Sequence, residues 1–364
     1  MKKLLFAGLF ATLLVACAPD EDVLTPPTPI TSPAQEVSTA STPATYEPFD
    51  ATTLSYMDTL IRLVGYANSQ ASFNGARDAV FAEAKRLHQL FHSLEGFEGV
   101  NNVYTINQMA GIAPVVVDPL LLELIQLGIE AYEWTGGALN IALGPVLEVW
   151  HQHRHANVAS VPDMALLQAQ HQYTDIRDIM IDEEAQTVFL AHEHMQLDLG
   201  AIAKGKAVDL MFEVAQNSGL EALFLYVGGD IRLGARRIST GNLWSTGVSH
   251  PDYPDDLTRL VDIVRLEHHS IVTSGDYQRF FFHEGVRYHH IIDPSTLMPS
   301  TYFRAVTVLH PENIMANILS TAFMIMPPES AFELATRLGA EALWIRYDGA
   351  LMVTPGYSRF SDHF

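Results

Sequence analysis

Cysteine is almost absent: Cys17 is the only one in 364 residues. A single thiol cannot close an intrachain disulfide, so stability must come from a packed core. Basic residues are scarce too, 21 Lys and Arg against 42 Asp and Glu, for a formal charge of −21. That balance argues against nucleic acid as a general partner, because such binding leans on cationic contacts to phosphates. Long apolar runs are missing after the first residues, and nothing beyond Cys17 is long enough to cross a membrane as a helix.

What is present begins with Met1 to Cys17, MKKLLFAGLFATLLVAC. Two lysines precede an apolar run of about a dozen residues, the pattern of an export signal and too short for a stable span. It ends Leu14-Val15-Ala16-Cys17, which resembles the bacterial lipobox, in which the cysteine is lipidated and becomes the first mature residue. Residues 1–16 are therefore expected to be a lipoprotein signal peptide. Cys17 is the lipidation site, and the protein is expected on the extracytoplasmic face of a bacterial envelope membrane, with the inner membrane favoured. Loss of Lys2 and Lys3 with the signal takes the charge to −23. Residues 17–48 are rich in Pro, Thr, Ser and acids and read as an unfolded tether. Residues 49–364 then form the globular body, long enough for one large domain or two intimate lobes.

Along the body, Asp50 to Gln70 is compatible with two strands or a strand and a short helix. Amphipathic spacing predicts helices over Ala76–Leu94 and Asp118–Thr135, the second closed by Gly136-Gly137. Asn101 to Gly111 reads as a loop and Gly144-Pro145 as a forced turn. His151, His153 and His155 in HQHRH have no acid or cysteine close by, so a solvated loop or polar helix start is favoured over a metal site. A hairpin is expected around Asp182-Glu183-Glu184. Leu223 to Leu233 reads as a strand broken by Gly228-Gly229-Asp230, where either a bulge or a close ligand explains the glycines. His289 and His290 should point to opposite sides of a strand, so at most one faces a site. A helix over Asn313–Met326 presents Asn317 and Thr321 one turn apart.

The segment Leu197 to Asp209, LDLGAIAKGKAVD, organises the rest. Small residues run into a helix start, and Lys204 lies beside it. Free N–H groups, the helix dipole and a lysine make a seat for phosphate. This is not a Walker A loop, since Lys204 precedes Gly205 and no Ser or Thr follows. A closely packed strand-to-helix turn explains the same residues.

Five segments in order resemble the bacterial FAD:protein FMN transferases, the ApbE-like flavin transferases, from about Ser93 onward. They are Thr135-Gly136-Gly137 with Gly144-Pro145, the 197–209 element, Gly228-Gly229-Asp230, Thr273 to Tyr277, and His290 to Pro294 followed by the Asn317-x-x-x-Thr321 helix. The resemblance implies an α/β (α+β) fold, two-lobed and T-fold-related, with mixed sheets, packed helices and FAD in the cleft. It implies FAD as substrate and Mg2+ as cofactor, with FMN moved to a Thr or Ser hydroxyl of an acceptor flavoprotein subunit and AMP released. It further implies His290, Lys204 and Asp198 as catalytic. Gly200, Ala201, Lys204, Gly228, Gly229, Asp230, Ser274, Gly275, Asp276 and His290 would line the FAD site, and the Ala201 carbonyl, Asn317 and Thr321 would hold the metal.

Four positions depart from the family pattern: Met57-Asp58-Thr59, Leu139-Asn140-Ile141-Ala142, Thr296-Leu297 and, above all, Asn317 where the metal-ligand position is an aspartate. An amide oxygen lacks the charge that magnesium favours. Two alternatives thus stand beside the transferase: an FAD-binding lipoprotein with weakened or lost transfer, and an FAD pyrophosphate hydrolase giving FMN and AMP.

Overall fold

In the computed structural model, which describes residues 45–364 except Leu257, the chain enters on an edge strand, β1 (Glu47–Thr53). The signal segment, Cys17 and most of the tether lie outside the described residues. β1 pairs antiparallel with β2 (Ile61–Ala67), so the ambiguous opening segment is two strands. α1 (Gln70–Phe91) starts earlier than the apolar spacing indicates, because the Ser69 hydroxyl accepts the Ser72 N–H and caps it.

The segment expected as a loop over 101–111 contains a short helix, α2 (Val103–Gln108). The reason is local: Asn102 accepts the Thr105 N–H at 3.0 Å, and Thr105 answers with a contact to the Asn102 N–H. β3 (Val115–Val116) leads to α3 (Pro119–Trp134), which Asp118 caps and which gives way to Gly136 and Gly137 at φ 64 and 85. Gly144-Pro145 is a helix start, not a turn. It opens α4 (Gly144–His155), with Pro145 in the first turn, where a missing N–H does no harm. The HQHRH stretch is therefore the last turn of α4, correcting the expectation of a loop or helix start.

Next come α5 (Met164–His171), β4 (Ile179–Asp182) and β5 (Thr187–Leu190), the last two forming the expected acidic hairpin. After α6 (Ala203–Asn217), β6 (Leu223–Val227) and β7 (Asp230–Leu233) pair as a hairpin with Val227 opposite Asp230. Gly228 and Gly229 are the two central residues of its turn, both at positive φ, so the broken strand is two strands. The chain continues through β8 (Trp244–Ser249), β9 (Leu260–Leu266), β10 (Ser270–Gly275), β11 (Phe280–His283) and β12 (Val286–His289). It ends with β13 (Ile292–Asp293), β14 (Met298–Pro299), β15 (Phe303–His310), α7 (Asn313–Ile325), α8 (Pro328–Arg337), β16 (Glu341–Arg346) and β17 (Leu351–Val353).

Eight strands form the central sheet in the order β1-β2-β6-β7-β10-β15-β16-β17, and its pairings are antiparallel. Helices α1, α6, α7 and α8 bury one face, against Leu63, Leu225, Val272 and Val306 among others. The β8–β9 ribbon covers the opposite face through Trp244, Val248, Val264 and Leu266. A separate small core under α4 gathers Trp150, Leu167, Ile292 and Leu297, with Phe281 and Tyr288 packed against it.

Two contacts fix α6 against α7. The Asp209 carboxylate accepts the N–H groups of Asn313 and Ile314 at 2.8 and 2.9 Å and pairs with Arg232. It caps a helix that has no side-chain cap of its own. At Gly205 an added Cβ would lie 2.7 Å from both the Asn317 Cβ and the Ile314 Cα, so only glycine lets the helices approach this closely.

Candidate active site

The 197–209 element places Asp198 and Gly200 in a tight turn, the Asp198 carboxylate accepting the Gly200 N–H at 2.7 Å. The Asp198 N–H donates to Ile141, tying the turn to the segment before α4. Ala201 and Ile202 follow, and α6 begins with no side chain capping its N–H groups. Burial raises the Asp198 pKa, with the Gly200 bond and the charge of Arg279 opposing it.

From the second position of α6, Lys204 reaches the β6–β7 turn. Its Nζ lies 2.8 Å from Asp230 Oδ1 and donates to the Gly228 carbonyl at 3.2 Å. Two of three ammonium donors are thus engaged and one is left for a ligand. Asp230 is 1% exposed, and burial raises its pKa, against the pull of Lys204. Its other oxygen accepts the Asn317 amide N–H at 2.9 Å. From Asn317 the network runs on, with Ser320 and Thr321 donating to the Asn317 carbonyl at 3.1 and 3.2 Å and Ser274 donating to Ser320 at 3.0 Å. One hydrogen-bonded chain therefore joins Gly228, Lys204, Asp230, Asn317, Thr321 and Ser274, residues that lie as far apart as positions 204 and 321. Asn317 Oδ1 is buried with no partner among the described residues.

His290 lies just past β12, its N–H donating to the Arg279 carbonyl at 3.1 Å. The two histidines do not alternate on one strand, since β12 ends at His289 and His290 lies in the bend beyond it. His289 is buried and spent, contacting the Ser300 carbonyl through Nε2 and accepting the Ile291 N–H through Nδ1. His290 Nδ1 is buried without a partner. Burial, helped by Arg279, pushes its pKa down to about 3, so the imidazole is neutral at physiological pH. The unused nitrogen can accept a hydrogen bond from a hydroxyl, and the burial and arginine charge that keep the ring neutral leave it a weak base until a phosphate anion offsets them.

Asp276 is 1% exposed and committed to Arg287 and Arg304 at 3.0 and 3.2 Å, an ion triad holding β12 to β15. Gly275 is packed under the Tyr277 ring, where a Cβ would come within 2.5 Å. Thr59 lies against Gly228, where an added Cβ would meet its Oγ1 at 2.3 Å, so the Met57–Thr59 loop abuts the Lys204 turn. Met57 and Asp58 both have positive φ, a conformation that costs aspartate less than most residues. Asp58 is exposed and makes no ion pair among the described residues; its charge reaches His88. No motif in the sequence assigned a part to Arg279, although it stands two residues after Tyr277; that it makes no ion pair among the described residues is visible only in three dimensions.

Fold and site together define an antiparallel α+β body whose glycine turns, lysine–aspartate pair and neutral histidine suit a phosphorylated ligand. The chain belongs to the ApbE family, whose model matches residues 57–344. It is 32% identical over 279 residues to the FAD:protein FMN transferase of Klebsiella pneumoniae, covering 75% of this chain and 82% of that one. Over 265 residues it is 36% identical to the FAD:protein FMN transferase of Treponema pallidum, covering 69% and 72%. The crystal structure of the ApbE protein of Thermotoga maritima superposes with a TM-score of 0.78 at 27% identity, covering 87% of this chain and all of that one. The flavin transferase ApbE of Vibrio cholerae gives 0.75 at 25% identity.

Proposed function

We propose that this protein transfers the FMN moiety of FAD to a Thr or Ser hydroxyl of an acceptor flavoprotein, releasing AMP. The observation that carries the reading is His290, neutral and with an unpartnered ring nitrogen, in a chain of this family. In the reaction the acceptor oxygen bonds to the FMN phosphorus, the bridging P–O bond breaks, and AMP takes the leaving oxygen. His290 receives the hydroxyl proton. Lys204 holds the Gly228-Gly229 turn and offers its third N–H to the diphosphate, and the α6 N-terminus supports the same charge.

A Mg2+ ion would be held by Asn317 Oδ1, which is buried and unpartnered, with Thr321 and the Ala201 carbonyl. These donors are all neutral, and the adjacent Asp230 is taken by Lys204 and Asn317. The residues therefore fit a cation whose anionic ligands come from the substrate diphosphate. When bound, it neutralises phosphate charge. Cys17 with its preceding apolar run supports a lipid anchor in the bacterial envelope, facing outward from the cytoplasm.

The test incubates the protein with FAD, Mg2+ and a Thr-containing flavoprotein domain. AMP matched by covalent flavin on the acceptor is the expected result. AMP without labelled acceptor means hydrolysis, and bound FAD with no AMP means a binding protein.

A further inference from the structure

The chain has two acids for every base, and twelve of its arginines pair with carboxylates, from Arg62 through Arg359. Arg154 and Arg279 do not. Arg279 makes no side-chain hydrogen bond or ion pair among the described residues, and the one side-chain bond of Arg154 runs to the His151 ring at 3.4 Å. Their backbones are brought to neighbouring places because Trp150, one turn before Arg154 on α4, stacks on Tyr288 of β12, ring centroids 6.1 Å apart, and donates to the Leu297 carbonyl at 2.9 Å, while the Arg279 carbonyl accepts the His290 N–H. That packing sets the last turn of α4 against the hairpin that Arg279 precedes and His290 follows. The His151 and His155 rings lie 4.4 Å apart on the same turn.

We propose that Arg154 and Arg279, flanked by His151 and His155, form a seat for a nucleotide phosphate, the one that leaves as AMP; this rests on the transferase reading above. Two guanidiniums that make no ion pair among the described residues can share an anion, and guanidinium matches a phosphate oxygen pair. Of the neighbouring acids, Glu148 accepts from Gln152 at 2.8 Å, and Asp198 accepts from Gly200 and feels the charge of Arg279 without forming an ion pair with it. Burial first, and the charge of Arg279 second, lower the pKa of Arg154 and of His290. Bound phosphate offsets that lowering. As the bridging bond breaks, negative charge grows on the adenylate, and the arginines meet it there while the α6 end keeps the FMN phosphate.

The test measures binding of AMP, inorganic pyrophosphate and riboflavin to the full chain and to Arg154→Gln, Arg279→Gln and the double variant. Each single change should weaken AMP and pyrophosphate about tenfold, as expected for one lost charge-assisted contact, and leave riboflavin unaltered. Arg279→Lys should recover part of the loss. In turnover of FAD, kcat should fall more than KM rises. Unchanged AMP affinity in a folded double variant overturns the proposal. So does weakened binding of an acidic acceptor in place of AMP. If the unaltered chain releases no AMP from FAD yet the variants lose AMP binding, the transferase reading fails and the phosphate seat stands.

Discussion

His290 is the residue on which the chemistry turns, and its environment makes a signed prediction. Its folded pKa, about 3, is below the ordinary 6.5. Above pH 6.5 the ring is neutral in both states and contributes no pH dependence. Between 6.5 and about 3 the unfolded chain binds a proton that the folded chain refuses, so stability falls as pH falls. Substituting His290→Gln removes this loss. From pH 7 to pH 5 the stability of the parent should drop relative to the variant by about 1–2 kcal/mol, read by urea denaturation at both values. A difference that does not change with pH would mean that the ring is hydrated. Asn317 supports a second residue-scale prediction. The change Asn317→Asp sets a second carboxylate against buried Asp230, so the melting temperature should fall without metal. Added Mg2+ should then raise it by more than in the parent. Equal Mg2+ shifts in both proteins would remove Asn317 from the metal.

At the scale of elements, the α6–α7 contact carries the site, because Lys204 stands on one helix and Asn317 on the other. Gly205→Ala inserts a methyl where the Asn317 Cβ and the Ile314 Cα stand 2.7 Å away. The expected cost is about 1–3 kcal/mol from overpacking, seen as a lower urea midpoint, together with weaker FAD binding because Asn317 is pushed from Asp230. If FAD affinity holds while stability drops, the contact is structural alone. This junction also marks what the sequence made legible. The long helices and the β-hairpins are readable because apolar period and turn residues are local signals, and the motif order pointed to Lys204, Asp230 and His290. What joins them was not readable. Asp209 capping α7 from 104 residues away, and Asp276 spent on Arg287 and Arg304, are long-range pairings that leave no local pattern. Asn102 and Pro145 were local signals in plain sight, a capping box and a first-turn proline that 101–111 and 144–155 owe their helices to.

At the scale of the whole molecule, the described body Tyr46–Phe364 is a compact unit whose central sheet is buried on both faces without a cysteine. Its melting should therefore ignore reducing agent, and its site should work independently of the amino-terminal segment. Cys17 is the residue on which the proposed anchoring depends, since a lipid chain and its neighbour supply membrane affinity that an acidic surface opposes. Replacing Cys17→Ala in the source cell separates the two properties. The variant should move from the membrane fraction to the soluble fraction, while AMP release per molecule of FAD-loaded protein stays within about twofold, because the site residues named above all belong to the body Tyr46–Phe364. A variant that stays in the membrane fraction would assign anchoring to the apolar run itself, as an uncleaved segment. One that leaves the membrane and loses turnover would mean that the amino-terminal segment takes part in the site.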